Sequence, residues 1–318
     1  MLFRSSLYPT DGSTPEDLIK KADTAMYKAK EAGRNNYQFF TQHMGDMARD
    51  RLTLENDLRR ALERQELALY YQPEVDIATG AIVGLEALLR WRHPERGLLL
   101  PCDFLQVAEE SGLIIPIGNW VLREACRQNR AWQTAGLPAI PVAVNISPLQ
   151  FRRLGLLQEI EAVLQKTGLS PHHLGLELTE RVLTHHAEAT LNALRSLKEM
   201  GVGLSIDDFG TGYSSLGYLK SFPIDALKID QTFIDGLTGD ASDAAIVRAI
   251  IGMGHSLGLK MIAKGVSNEL QLTRLRELGC DVVQGNHHSP PLEPDAFAQL
   301  LAQHGGAIAP LNVSIHKS

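Results

Sequence analysis

Leu174-Gly175-Leu176-Glu177-Leu178-Thr179-Glu180 is a short apolar run carrying acids, and after a helical pattern Gly203-Leu204-Ser205-Ile206-Asp207-Asp208 repeats the form. Working outward, further runs of the same kind occur at Leu67–Ile77, Ala81–Trp91, Val142–Ser147, Ala226–Asp230, Lys260–Val266 and Asp281–Gly285. The first two of these flank Thr79-Gly80 and read as a hairpin; the others are separated by helical patterns. Repeated strand–helix units favour a TIM-like (β/α)8 barrel whose first strand is antiparallel. A doubly wound sheet is the structural alternative.

In a parallel barrel the reacting groups gather at the C-terminal ends of the strands, which open onto one face. Glu86 lies within the second strand, Asn145 ends the third, Glu177 the fourth and Asp207-Asp208 the fifth. Lys228 sits between Leu227 and Ile229, and Gln284 precedes Gly285. A salt bridge accounts for any one acid on an apolar strand, but not for the set. Four carboxylates at one mouth raise one another's pKa unless a cation neutralises them. Oxygen-only ligation suits Mg²⁺, Mn²⁺ or Ca²⁺ rather than zinc.

Asp207-Asp208-Phe209-Gly210-Thr211-Gly212-Tyr213-Ser214-Ser215 places two adjacent acids where the chain turns, so they can face two sites. Gly210 and Gly212 permit the turn, and Ser214 or Ser215 can cap the next helix. A dinucleotide fingerprint is a weak alternative, because Ser215 stands where a third glycine is needed. Arg90 shares strand parity with Glu86 and Leu88, so it can hold a phosphate beside the acids or pair with a surface acid. Lys228, on an apolar strand, needs a counter-charge that the acid cluster supplies.

The 318 residues are 44% hydrophobic and 21% charged, enough for a sizeable core and too ordered a composition for a disordered chain. A net charge of −6 argues against a general DNA- or RNA-binding surface. Three scattered cysteines, Cys102, Cys126 and Cys280, fit buried thiols in a reducing compartment rather than a disulfide framework. Neither a membrane-length apolar run nor a signal-peptide pattern is present, so a cytoplasmic chain is expected.

The N-terminal residues have a different character. Thr14 to Ala32 is helical, with Pro15 in the first turn and Gly33 at the stop, and Tyr37–Phe40 reads as a short strand in need of a sheet the chain does not supply. From Asp46 to Gln65, charged residues alternate with Met47, Leu52, Leu54, Leu58 and Leu62, as in an amphipathic linker helix or one packed on its own domain. The implied division is 1–40, a linker at 41–65, a catalytic-type domain at 66–305 and a tail at 306–318.

Taken in order, Tyr71-Gln72-Pro73, Glu86-Ala87-Leu88, Val144-Asn145-Ile146-Ser147, Glu177-Leu178-Thr179-Glu180, the Asp207–Ser215 loop, Leu227-Lys228-Ile229-Asp230 and Gln284-Gly285 resemble the EAL domain of bacterial cyclic-di-GMP phosphodiesterases. Ala22–Lys30 and Gly33-Arg34-Asn35 resemble the tail of a GGDEF diguanylate-cyclase domain; the GGDEF motif itself is missing, so no cyclase activity is expected. The resemblance implies Glu86, Asn145, Glu177 and Asp207 as ligands of one Mg²⁺ or Mn²⁺ and Asp208 at a second. It implies Lys228 near the attacked phosphate, Glu180 supporting the loop after Asp208, and Gln284 close to the second ion or its water. Two ions would share the attacking hydroxide and yield linear pGpG, with Arg90 on a phosphate and Gln72 on the nucleotide. Upstream GGDEF or sensor domains and a homodimer are further implied partners.

The sequence departs from the family's Ala-Glu-Gly-Val-Glu segment. Here Ala263-Lys264-Gly265-Val266-Ser267 puts Lys264 in the place of a glutamate tied to the second ion or to water activation. An ammonium about 5 Å from a divalent ion repels it by roughly 6–7 kcal/mol at an effective dielectric near 20, unless Lys264 swings away, deprotonates or pairs with Asp208. Reduced turnover is one outcome; a catalytically silent cyclic-di-GMP receptor is the alternative. Asn286-His287-His288-Ser289-Pro290 is also unusual, and its two histidines lack a third soft ligand, which favours a surface or rim role over a metal site.

Overall fold

A computed structural model of the chain describes residues 3–31, 37–182, 187–211 and 219–304. Gly33-Arg34-Asn35, Gly212 to Ser215 and the expected tail at 306–318 lie outside the described residues. The chain forms two compact units, residues 1–66 with 102–113, and residues 67–101 with 114–318.

The first unit contains β1 (Phe3–Ser5), α1 (Pro15–Glu31), β2 (Tyr37–Phe39), α2 (Gln42–Ala61) and most of α3 (Pro101–Ser111). Contrary to expectation, β2 does find a partner, since it pairs in parallel with β1. Three residues of mixed polarity give too weak a pattern to announce β1 as a strand. The buried stripe of α2 is also narrower than the leucine pattern suggested. Leu54, Leu58 and Ala61 are buried at helical spacing, whereas Leu52 faces solvent. Cys102, expected to be buried, is exposed in the first turn of α3; Cys126 and Cys280 are buried.

In the second unit, β3 (Leu67–Asp76) and β4 (Ile82–His93) form the hairpin, and β5 (Gly97–Leu99) adds to the far end of β4. The chain then alternates: α4 (Ile114–Thr134), β6 (Val142–Ile146), α5 (Pro148–Phe151), α6 (Leu156–Thr167), β7 (Leu174–Thr179), α7 (Ala187–Glu199) and β8 (Gly203–Phe209). After β9 (Ala226–Ile229) come α8 (Gln231–Asp235), α9 (Ala241–Ser256), β10 (Lys260–Ala263), α10 (Glu269–Glu277), β11 (Val282–Val283) and α11 (Pro294–His304). Strand order β3-β11-β10-β9-β8-β7-β6-β4, with β3 also pairing β4, closes an eight-stranded barrel. All pairings among β4 and β6–β11 are parallel; β3 alone runs against both of its neighbours.

Strand alternation divides the side chains. Val142, Val144 and Ile146 of β6, Leu174, Leu176 and Leu178 of β7, and Leu204 and Ile206 of β8 are all buried, and each alternates with Asn145, Glu177 or Asp207. The apolar set points outward under the helices, where each large side chain contributes about 1.5–3 kcal/mol. The intervening set points into the barrel. Ala226, Ile262 and Val282 pack together two positions upstream of Lys228, Lys264 and Gln284, making an apolar floor beneath a polar layer.

Local signals hold the strand ends in place. The Ser147 hydroxyl caps α5, accepting from the Gln150 N–H at 3.2 Å, and so turns the chain immediately after Asn145. Past β10, Val266 N–H donates to Gln284 O at 3.1 Å and Gln284 N–H to Ala263 O at 2.9 Å, knitting the two strand ends together. Gly285 permits that closeness, since a Cβ there would run into the backbone N, C and O of Val266. Gly285→Ala is expected to cost about 3 kcal/mol in a urea melt; a loss below about 0.5 kcal/mol would contradict the packing argument.

Candidate active site

Glu86 is the hub of the inward-facing layer. Its Oε1 accepts from Asn145 Nδ2 at 2.6 Å, and its Oε2 accepts from Gln284 Nε2 at 2.7 Å and Lys228 Nζ at 3.2 Å. Gln284 Nε2 also donates to Gln72 Oε1 at 3.2 Å, and Gln72 Nε2 to Ser289 O at 3.0 Å. Lys228, with none of its surface exposed, places its ammonium among Glu86, Glu177 and Glu74. β3 thus sends two polar side chains to a common point, Gln72 and Glu74, and β4, β6, β7, β9 and the end of β11 send one each. Sequence order separates these residues widely; barrel closure brings them together.

A second ammonium organises the neighbouring acids. Lys264 Nζ lies 2.6 and 2.7 Å from the two carboxylate oxygens of Asp207 and 2.9 Å from Asp208 Oδ1. Successive strand residues ordinarily point to opposite faces, yet here two adjacent aspartates reach one cation. The backbone explains it: Asp208 adopts φ 52°, in the left-handed region, and the β8–β9 register shifts between Ile206 and Phe209. Both carboxylates, expected to be able to face two sites, meet Lys264 here. Among the outcomes open to Lys264, pairing is the one observed, and it extends to Asp207.

Charge and burial set opposite fates for the two central glutamates. Burial opposes ionisation of Glu86, but Lys228, Lys264 and the Gln284 and Asn145 amides overcome it and draw its carboxyl down to about 2. Glu177 goes well above the ordinary range, because burial and the neighbouring Glu86 charge outweigh Lys228. Asp207 is raised by burial, against the pull of Lys264 and Lys228. Both lysines stay charged: burial disfavours the ammonium, but the surrounding carboxylates raise Lys228 and Lys264 above the ordinary value.

The other expected site residues are spread around this layer. Glu180 follows β7 and is buried, with neither carboxylate oxygen hydrogen-bonded among the described residues. Arg90 is buried on the Glu86 face of β4; it donates to Leu89 O at 2.8 Å, and its guanidinium stands 5.5 Å from the Tyr70 ring centre. The residue that sequence reasoning missed is Glu74. Its Oε1 lies 2.8 Å from Lys228 Nζ, without hydrogen-bond alignment, and its cross-strand partner Gly84 leaves room that a Cβ would fill. The signal was parity with Gln72 two residues earlier. It was passed over because β3 is inverted, so its acid lies away from the strand ends searched.

His287 Nε2 lies 3.1 Å from Glu269 Oε2, and His288 packs edge-on against His287. Neither belongs to the acid layer, but His288 is only 5% exposed, more buried than a surface role implies. Burial, the neighbouring His287 and Arg276 push its imidazole from 6.5 to about 4, with Glu269 opposing. A depressed histidine pKa means the folded chain resists a proton that the unfolded chain accepts. Stability is therefore expected to be full above pH 6.5 and to fall by about 3 kcal/mol as pH drops toward 4. Urea melts across that window should show His288→Gln removing this part of the slope; an unchanged slope would argue against it.

This geometry meets a clear pattern among known proteins. The EAL domain family model matches residues 55–291. The chain belongs to the EAL domain family. A diguanylate cyclase GGDEF domain model also matches residues 4–36. The EAL chain is 50% identical over 297 residues to the bifunctional diguanylate cyclase/cyclic di-GMP phosphodiesterase MucR of Pseudomonas aeruginosa, covering 93% of this chain and 43% of that protein. It is 44% identical over 305 residues to the cyclic di-GMP phosphodiesterase NbdA of the same organism, covering 96% of this chain and 39% of NbdA. It therefore spans about two fifths of these curated relatives. A solved structure described as PaMucR phosphodiesterase in complex with c-di-GMP superposes with a TM-score of 0.75 at 49% identity, covering 77% of this chain and 99% of that one.

EAL phosphodiesterases generally depend on a divalent metal. The donor chemistry here fits one hard cation: Glu177 Oε2 is a buried carboxylate oxygen with no hydrogen-bond partner among the described residues, beside Glu86 and Asn145. Among the described residues no three His, Cys, Asp or Glu side chains converge in ion-holding geometry, in keeping with their being turned onto Lys228 and Lys264. Between Asp207 and Asp208 the donor set does not fit a cation, because the Lys264 ammonium is already there. No helix among the described residues is long and apolar enough to cross a membrane.

Proposed function

We propose that this chain is a cyclic-di-GMP phosphodiesterase that opens one phosphodiester to give linear pGpG, using Mg²⁺ or Mn²⁺. The single observation that carries the reading is the inward layer of Glu86, Asn145, Glu177 and Asp207 around Lys228. Glu86, Asn145 and Glu177, with Asp207 at their edge, would hold a divalent ion. When bound, such an ion supplies charge neutralisation of the phosphodiester and lowers the pKa of water.

The chain's own side chains have distinct tasks in this reading. Lys228 supplies a fixed positive charge beneath the attacked phosphate, held in place by three carboxylates that also keep it protonated. Arg90 leaves the Tyr70 ring to take a phosphate oxygen, while Tyr70 keeps its own link to Glu293 at 2.7 Å. Gln72 and Gln284 are already linked, so a nucleotide contact at Gln72 passes to Glu86 through one amide. Glu180 positions the loop after Asp208. The segment matched to the GGDEF family and α2 are read as the junction to upstream domains.

Purified chain with Mn²⁺ and cyclic di-GMP is expected to release pGpG on chromatography. Lys264 favours a second reading, a receptor that binds without turnover, because it puts a positive charge beside both aspartates. Calorimetric binding of cyclic di-GMP without any pGpG would decide for the receptor and against hydrolysis.

A further inference from the structure

Lys264 is not a mobile surface lysine that happens to reach an acid. Its backbone N–H donates to Ile229 O at 3.2 Å, extending the parallel ladder beyond β10, and Val266 two residues later is tied to Gln284 O at 3.1 Å. Gly265 between them has φ 77°, and a Cβ there would strike the Gln231 side chain, so the turn fixes the direction in which Lys264 leaves the strand. At the far end the ammonium makes three contacts of 2.6 to 2.9 Å with Asp207 and Asp208, and the side chain is 21% exposed. Asp208 is held in a left-handed conformation that brings its carboxylate to the same ammonium. Both ends of Lys264 are thus built in.

We infer that the Lys264 ammonium is a permanent internal cation at the Asp207–Asp208 position, so that this chain takes up one divalent ion and not two. The inference rests on the metal-dependent reading above and specifies the number of ions. Charge balance points the same way. With every acid ionised, as a bound cation favours, Glu74, Glu86, Glu177, Asp207 and Asp208 oppose two ammoniums, leaving three formal negative charges that one divalent ion reduces to one. With a carboxylate at position 264, six acids would oppose one ammonium, and two divalent ions would be needed to reach the same residue of charge. Exchanging a carboxylate for an ammonium changes the layer by the charge of one divalent ion. An ammonium differs from a divalent ion in offering no open coordination position. The contribution of Lys264 is therefore to position Asp207 and Asp208 and to neutralise them, with no water held for reaction at that point.

Mn²⁺ titration of the unaltered chain, followed by loss of the free-ion electron paramagnetic resonance signal, tests this without reference to turnover. One ion per chain with the spectrum of an isolated Mn²⁺ is expected. Two ions in the unaltered chain overturn the inference and leave the phosphodiesterase reading standing; no bound ion overturns the metal-dependent reading and the inference together. Lys264→Glu is expected to raise the count to two, with an exchange-coupled spectrum, and a count that stays at one counts against the inference. Circular dichroism of Lys264→Glu accompanies the titration, and the count on the unaltered chain decides the matter if that variant does not fold.

Discussion

Lys228→Met is expected to lower the unfolding free energy by about 3–5 kcal/mol, the largest stability effect of any single substitution in the polar layer. The ammonium is fully buried and, among the described residues, is the one positive charge in contact with all of Glu74, Glu86 and Glu177. Methionine fills similar volume, so the loss is electrostatic rather than a cavity. Three buried carboxylates would remain at the heart of the barrel, and they could escape ionisation only by taking up protons. Urea unfolding at neutral pH measures the loss, and stability within about 0.5 kcal/mol of the parent would show that Lys228 does not neutralise the layer. Adding Glu177→Gln to Lys228→Met is expected to restore at least about 1 kcal/mol, because it removes one of the stranded acids.

Glu86→Gln is expected to reduce pGpG formation by at least about 10³-fold, equivalent to roughly 4 kcal/mol of transition-state stabilisation, with little change in stability. Glutamine keeps the shape of the hub but withdraws the charge that two lysines and the Gln284 and Asn145 amides hold in the ionised form against burial. Stability survives because the Glu86 charge is itself a cause of the raised Glu177 pKa. Once it is gone, Glu177 can ionise against Lys228 and take its place in the ion pair. Assay of pGpG beside urea unfolding separates the two effects. A rate within tenfold of the parent would remove Glu86 from the chemistry, whereas a collapse in stability would mean that Glu177 cannot compensate.

Much of this layer was legible in the chain before folding because strands alternate. Glu177 between Leu176 and Leu178, or Lys228 between Leu227 and Ile229, can only be buried on the face opposite the core-forming leucines, and closure then gives them a common interior. Asp208 was harder, since alternation sends it away from Asp207 and only the left-handed turn at its own φ returns it. Glu74 was missed for a topological reason: a search confined to the ends of parallel strands passes over an acid on an inverted one. The geometry of Lys264 was not readable from its neighbours, because its position depends on hydrogen bonds to Ile229 and on the Val266–Gln284 link. The β1–β2 pair escaped notice for want of length.

The inverted direction of β3 has a mechanical consequence. Leu67, its first residue, pairs with Trp91 near the end of β4, so the chain enters the barrel on the side where the reacting groups open rather than at the closed floor. Only five positions separate that entry from Gln72, which is bonded to Gln284 and through it to Glu86. Tension on the incoming strand has a lever arm of one short ladder to the hub, whereas in an all-parallel barrel it would have to traverse the whole height of the wall.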